Sequence, residues 1–348
     1  MPLKVSKDTH ADLVKKLDLQ SRKSIFGDKF FKALVIGASL YTLLMVAIVF
    51  STLLEGSMPI FFKEGINFVI GTDWNPVEGR ESFGALPYII GTLVSSAIAM
   101  AIAVPISIGI AIFITEMIPK KLGTVLSFVV ELLAAVPSII YGLWALFVFR
   151  FWIRDFIEEP LHNTFGDHIS IFAKAPFGLD VFTAGIVLAI MIIPIISAVS
   201  REVIKAIPHS QKEAAYALGA TRWEMVKTAI LPSSRTGLMG ASFLGLGRAI
   251  GETMLVTLII GNAIGLAAIP TSLFSQSQTL SSIIANEFNE ASNNLHLSAL
   301  IGLGLVLFVI TIFINILAIF IISKVSKSYS NLREYYEQRL QKSKSKTP

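Results

Sequence analysis

SALIGLGLVLFVITIFINILAIFII, residues 298–322, runs for 25 positions without a charged side chain. Coiled as an α-helix it is about 37 Å long, enough to cross the roughly 30 Å hydrocarbon layer of a bilayer. A helix in a soluble core has no need of so long an uninterrupted apolar run, so Ser298 to Ile322 reads as a membrane span. Five further runs are apolar enough to cross a bilayer: Ala33 to Leu54, Pro87 to Thr115, Thr124 to Phe149, Phe182 to Ser200 and Gly237 to Ile269. The run ending at Ile269 is long for one crossing and is expected to turn out of the bilayer near Gly261 to Gly265. The expected fold class is an all-α membrane protein with six transmembrane helices.

Composition agrees with that reading. Of 348 residues, 53% are hydrophobic and 15% charged, against roughly a quarter charged in soluble domains. This excludes a soluble enzyme and a disordered scaffold. The chain has no cysteine, hence no disulfide, thiolate metal site or cysteine nucleophile, and its five histidines show no metal-ligand spacing. No metal and no cofactor are expected. The run Ala33 to Leu54 follows a polar segment, is too long for a signal-peptide core and lacks a small-residue cleavage pattern, so it is read as a retained span.

Cytoplasmic segments of membrane proteins are enriched in Lys and Arg. The tail 1–32, the loops 116–123 and 201–236 and the tail 323–348 hold 23 of the 29 basic residues, whereas the alternate segments 55–86, 150–181 and 270–297 hold five. Both termini are therefore expected to be cytoplasmic. The organisation that follows is a basic N-terminal tail 1–32, a first helix 33–54, a periplasmic loop 55–86, a five-helix core 87–322 and a basic C-terminal tail 323–348. The outer loops are too short to fold as domains and read as docking surface. In the last tail Leu332, Tyr335, Tyr336 and Leu340 fall at helical spacing, as expected for a helix lying on an anionic leaflet.

The loop between the fourth and fifth runs is the most structured polar stretch. Ser210-Gln-Lys-Glu213 has the form of a capping box, and Gly219 suits the left-handed residue that ends helices. A second box, Thr221-Arg-Trp-Glu224, opens another helix, expected to stop near Leu231-Pro232. Two short helices with small alanines form a rigid knob that a partner backbone can approach closely, or simply a hairpin joining two spans. Glu213 in this reading either touches a partner or only caps its helix.

Glu213-Ala214-Ala215, Gly219 and Leu231-Pro232 resemble, in type and spacing, the EAA loop of ATP-binding-cassette importer permeases. The resemblance implies a coupling helix seated in a cleft of an ATPase subunit. Ala229 departs from the branched aliphatic residue usual two positions before the Leu.

Gly247-Arg-Ala-Ile-Gly-Glu252 puts Arg248 and Glu252 one helical turn apart inside the fifth run. A cation at mid-bilayer costs about 2.5–3.5 kcal/mol on insertion scales and should face protein or water. The pair either neutralises itself or serves a passing solute, with Arg248 offering a planar fork of donors to a tetrahedral oxyanion. Gly247 and Gly251 would let neighbouring backbones come close. Glu252 beside an anion path makes sense if the anion carries a proton: hydrogen phosphate can donate to a carboxylate, and sulfate cannot.

Gly245 to Met254 with Gly261-Asn262, Glu131 to Trp144 in the third run, and Thr279-Leu-Ser-Ser-Ile-Ile-Ala-Asn-Glu287 resemble the PstC-type permease family of the bacterial phosphate importer. With the EAA loop, the likeness covers about residues 85 to 322. It implies a type I importer permease of MetI-like architecture in the bacterial inner membrane. By motif position, Arg248 and Glu252 would lie on the phosphate pathway, and Glu213, Ala214, Ala215, Gly219, Leu231 and Pro232 would couple to the ATPase. The implied partners are a second permease subunit forming a heterodimer, an ATP-binding subunit dimer, a periplasmic phosphate-binding protein, inorganic phosphate and the lipid bilayer, with no nucleic acid. Glu131 lies in the third run and is read as snorkelling or pairing with a neighbouring span. Pro105, Pro137 and Pro194 are expected to bend their helices.

The chain has no Gly-x4-Gly-Lys-Ser/Thr loop and no Gly-Lys dipeptide at all, so ATP would be hydrolysed by another polypeptide. No catalytic constellation is recognisable. The competing readings are a permease for sulfate or molybdate, the sister phosphate permease, and an ion-coupled carrier or channel. The carrier often shows an internal repeat with ionisable or broken helices in both halves, and none is visible here.

Overall fold

Each long apolar run becomes a helix because backbone groups in hydrocarbon have no water to bond. The computed structural model describes the backbone of residues 7–291 and 293–344, and the side chains of residues 29–291 and 293–325. Leu332, Tyr335, Tyr336 and Leu340, and most of the N-terminal tail, therefore lie outside the described side chains. Contacts divide the chain into two units, residues 1–55 and 56–348.

Helix α1, Lys7–Glu64, contains the first expected span. Its Leu40, Leu43 and Leu44 are more than half exposed, as lipid-facing residues would be. The second unit continues through α2, Leu86–Ile112, α3, Lys120–Ala134, and α4, Ser138–Trp144. Next come α5, Val181–Lys205, then α6, His209–Ala217, and α7, Arg222–Met225. The chain ends with α8, Leu231–Gly251, α9, Met254–Ile259, α10, Leu280–Glu287, and α11, Asn294–Lys344.

Two runs expected to cross as single helices are broken. Thr124 to Phe149 bends by 85° between α3 and the helical stretch beginning at Ser138. Pro137 has no N–H for the helical ladder, and the Leu133 carbonyl four residues before it accepts instead from Val136 N–H at 3.3 Å and from the Tyr141 hydroxyl at 3.0 Å. Pro105 and Pro194, by contrast, remain inside continuous helices. Gly237 to Ile269 breaks at Glu252, and the expected turn follows at Gly261, Asn262 and Gly265, which all have positive φ. Among the described residues, four helices meet the length and hydropathy of a span, and the bent pair gives a fifth. The interrupted α8–α9 run is the sixth apolar run. A two-residue antiparallel hairpin, Trp74–Asn75 with Ser82–Phe83, is the only strand pairing among the described residues.

The seam between α2 and α5 is built from small residues. Ala99, Ala103, Ala184 and Ala189 are fully buried, and a methyl on Gly185 would stand 2.5 Å from Ile98 Cγ2. Small side chains let two helices approach within contact distance over their length. At one end of the unit, the short loop after α2 meets the knob of α6 and α7. At the other end, Trp74 Nε1 donates to Glu287, and His296 pairs with the same carboxylate at 2.8 Å.

At this second end Asp180 caps α5, accepting from Thr183 N–H at 2.9 Å. It is buried beside Glu158, which accepts from the Thr183 hydroxyl and Gly178 N–H. Burial, then the Glu158 charge, pushes the Asp180 carboxyl up to about 8. Arg154 is the cation whose field reaches Glu158.

Two predictions follow from this packing. Gly185→Ala should cost about 2 kcal/mol through overpacking, whereas Gly109→Ala, which meets nothing within 4 Å, should be neutral or stabilising; unfolding in detergent compares them. A carboxyl whose folded value lies above its unfolded one stabilises fully at acid pH, and that stabilisation is lost as pH rises through about 8. Wild-type protein should therefore lose thermal stability between pH 6 and pH 9 by more than Asp180→Asn does, and equal pH profiles would exclude the effect.

Candidate functional site

The knob begins two residues earlier than its first capping motif suggests. Pro208, with φ fixed near the helical value, precedes α6, so Ser210 is already inside the helix and makes no cap bond. The Ser210–Glu213 box is therefore not formed. Glu213 is exposed and has no ion-pair partner among the described residues. The helix ends as expected: Gly219 adopts φ +81°, with Gly219 N–H bonded to Tyr216 O and Ala220 N–H to Ala215 O, the paired bonds of a Schellman motif. The second box is formed, with Thr221 Oγ1 accepting from Glu224 N–H and Glu224 accepting from Thr221 N–H at 2.8 Å. These Thr221 donors hold the Glu224 carboxyl below its ordinary range.

Leu231-Pro232 does not stop the second helix. Five residues of wider π-turn, Val226–Ile230, precede it and lead straight into α8. A wider turn is a recurrent way for a helix to absorb a local irregularity, and Pro232, which has no N–H to donate, falls in the first turn beyond it. Ala215 and Leu231 pack against the cluster of Ile204, Met225, Val226 and Ile230, so these two motif residues face inward. Ala214 and Gly219 face out, beside Leu218 at 90% exposure. The knob is tied to the end of α2 by Lys212 and Glu116 at 2.6 Å, both largely buried, and to α8 by Ser233 donating to Gln211 at 2.8 Å.

At mid-chain the fifth apolar run opens. Helix α8 ends at Gly251, and Glu252 is extended, with φ −71° and ψ 125°. Arg248 lies in the last helical turn and is exposed, whereas Glu252 is 9% exposed. Among the described residues the two form no ion pair within 4 Å. A cation in a last turn complements the negative end of the helix dipole.

One face of α8, with Leu238, Ala241, Gly245 and Ala249, is buried, and a methyl on Gly245 would strike Ile196 of α5. The other carries Gly240, Leu244, Gly247, Arg248 and Gly251. Methyls on its three glycines would meet nothing within 4 Å. Among the described residues nothing approaches Gly247 or Gly251 closely, contrary to expectation, and they border open space on the face that carries Arg248. Glu252, freed from the helical ladder, gives its carbonyl to the Ser281 hydroxyl of α10 at 2.8 Å.

A family model described as binding-protein-dependent transport system inner membrane component matches residues 103–330. The chain belongs to that family. This inner-membrane transport component is 48% identical over 292 residues to the phosphate transport system permease protein PstC of Pasteurella multocida, covering 83% of this chain and 89% of that one. It is 46% identical over 304 residues to the protein of the same name from Haemophilus influenzae, covering 86% and 95%. Among solved structures it is similar to inward-facing MetNI, a methionine ABC transporter, at 17% identity and a TM-score of 0.47, over 70% of this chain and 94% of that one.

Within this transport component, the structure also places residues that the sequence left without a role. Arg201, counted with a polar loop, is 1% exposed in α5 and pairs with Glu131 at 2.9 Å, which accounts for the carboxylate in the third run. Leu218 and Trp223 present large apolar surface on the knob; the sequence signal for them is an apolar residue next to a helix-ending glycine and a Trp inside a capping box. Replacing Glu116 by Gln would leave the mostly buried Lys212 ammonium without its counter-charge. Amide hydrogen exchange across His209–Ala217 is expected to speed up about tenfold, and unchanged exchange would show that other contacts hold the knob.

Proposed function

We propose that this chain is a permease subunit of an ATP-driven inorganic phosphate importer, forming half of the translocation pathway. The observation that carries the reading is the open face of α8, which ends on an exposed Arg248 and an unpaired Glu252 at a break in the helix. The printed names of the relatives point to phosphate as the cargo. A second permease subunit would close the open face, so that the pathway runs between the two.

Arg248 presents two parallel donors to the oxyanion and compensates part of its lost hydration. Glu252 accepts a hydrogen bond from the hydroxyl of hydrogen phosphate, and repels sulfate, which has no hydroxyl to donate. Membership of the family supports a separate ATP-binding subunit dimer as the motor and a periplasmic phosphate-binding protein as the donor of cargo. With the capping box at Ser210 unformed, the Glu213 carboxylate is available to the ATPase, and Ala214, Leu218 and Gly219 form the surface around it. Ala215 and Leu231 serve from inside, packed against the cluster between the knob and α8, and Pro232 lies in the first turn of α8. The loops 116–123 and 201–236 share one end of the unit, joined through Glu116 and Lys212. That supports a cytoplasmic knob and outer loops that receive the binding protein.

The test is uptake of radiolabelled phosphate into vesicles holding the full importer and internal ATP. Arg248→Ala should lower flux about a hundredfold, because the anion loses a charged donor pair in a poorly hydrated place, and Arg248→Lys should recover little of it. Glu252→Gln should lose phosphate flux or admit sulfate. Wild-type flux and selectivity in both variants would sink the assignment, and uptake driven by an ion gradient without ATP would replace the importer with a carrier.

A further inference from the structure

The helix break leaves the backbone carbonyl of Glu252 outside any helical ladder, at a residue that is itself 9% exposed. It accepts from Ser281 Oγ at 2.8 Å across 29 residues of sequence, and Ser281 itself is 6% exposed. Because that hydroxyl proton is spent on the carbonyl, the 3.2 Å contact between Thr279 Oγ1 and Ser281 Oγ places the Thr279 hydroxyl as donor to Ser281. Thr279 Oγ1 in turn accepts from Ser282 N–H at 3.1 Å. The three groups form a directed chain, each bond polarising the next.

The chain is anchored. Leu280 N–H donates to Thr92 Oγ1 at 3.0 Å, and Thr92 donates to Tyr88 O within α2. Glu252 is thus fixed to α2 through α10, rather than through its own helix. Its only link back to α8 through N–H is a long bond to Ala249 O at 3.4 Å.

We propose that Ser281 is a positioning residue for phosphate passage: by holding the Glu252 carbonyl it sets the direction in which the Glu252 carboxylate meets the anion. Without the hydroxyl, the carbonyl has no donor and the Glu252–Thr253 link relaxes toward another one, turning the carboxylate away. This inference rests on the role given to Glu252 above.

The experiment uses the complete importer in proteoliposomes with internal ATP, inorganic phosphate as cargo and labelled sulfate as the rejected anion, with flux normalised to assembled complex. Ser281→Ala should lower maximal phosphate flux about tenfold, the scale of leaving a buried carbonyl without a donor, with the half-saturating phosphate concentration within twofold of wild type. Ser281→Thr, which keeps the hydroxyl, should return flux to within twofold. In a Glu252→Gln background, Ser281→Ala should add no further loss, because both changes act through one carboxylate. Wild-type flux in Ser281→Ala, or a loss that multiplies with that of Glu252→Gln, overturns the inference while leaving the Glu252 assignment standing. Wild-type flux and selectivity in Glu252→Gln overturns that assignment, and the inference with it.

Discussion

A carbonyl that leaves a helix inside an apolar layer must find a donor within the protein, since no water is there to supply one. This constraint governs the places where the structure departs from a simple bundle. At the sharp bend after α3, the Tyr141 hydroxyl reaches back to the Leu133 carbonyl. After α8, Ser281 of α10 reaches the Glu252 carbonyl. Before α8, where Pro232 offers no N–H, the ladder widens by a π-turn and continues. At the first two of these places one particular side chain satisfies the backbone, and the second and third lie beside residues with a proposed role.

The same economy of contacts links the knob to the pathway. Helix α5 is continuous from Val181 to Lys205 and leads directly into the knob. It lies against α2 at Gly185 and against α8 at Gly245, where Ile196 fills the space a side chain would take. Gly245 is three residues from Arg248, and Gly237 meets Val203 two turns below. Tight packing of this kind transmits strain, so under the coupling proposed above a force at Glu213 would have a direct route to the open face of α8. The Lys212–Glu116 pair adds a second tie, to the end of α2.

Several features are local enough for the sequence to reveal them. The Thr221–Glu224 box and the left-handed Gly219 appear as expected because each is decided within four or five residues. So does the turn at Gly261 to Gly265, where positive φ at Gly261, Asn262 and Gly265 redirects the chain just beyond α9. The Ser210–Glu213 box fails for an equally local reason: Pro208 starts the helix first. Hydropathy found the apolar runs but not their breaks, because it measures the environment of side chains and says nothing about the direction of the backbone. Thr124 to Phe149 is apolar apart from Glu131 and a few small polar residues, and still turns by 85° where Pro137, expected to bend it, stands.

The sequence by itself determined that this chain has apolar runs long enough to enter a bilayer, that its cationic loops alternate with poorly charged ones, that Arg248 is a cation within one such run, and that a helical knob lies between two of them. Those properties depend on composition and on neighbours a few positions apart. Only the tertiary structure decided that Arg248 and Glu252 stand unpaired on either side of a helix end, that Gly247 and Gly251 border open space, that Arg201 is buried against Glu131, and that Ser281 secures Glu252. Each of these depends on which group arrives from a distant part of the chain, and a hydrogen bond or a void across 29 or 70 residues leaves no periodic trace in the sequence.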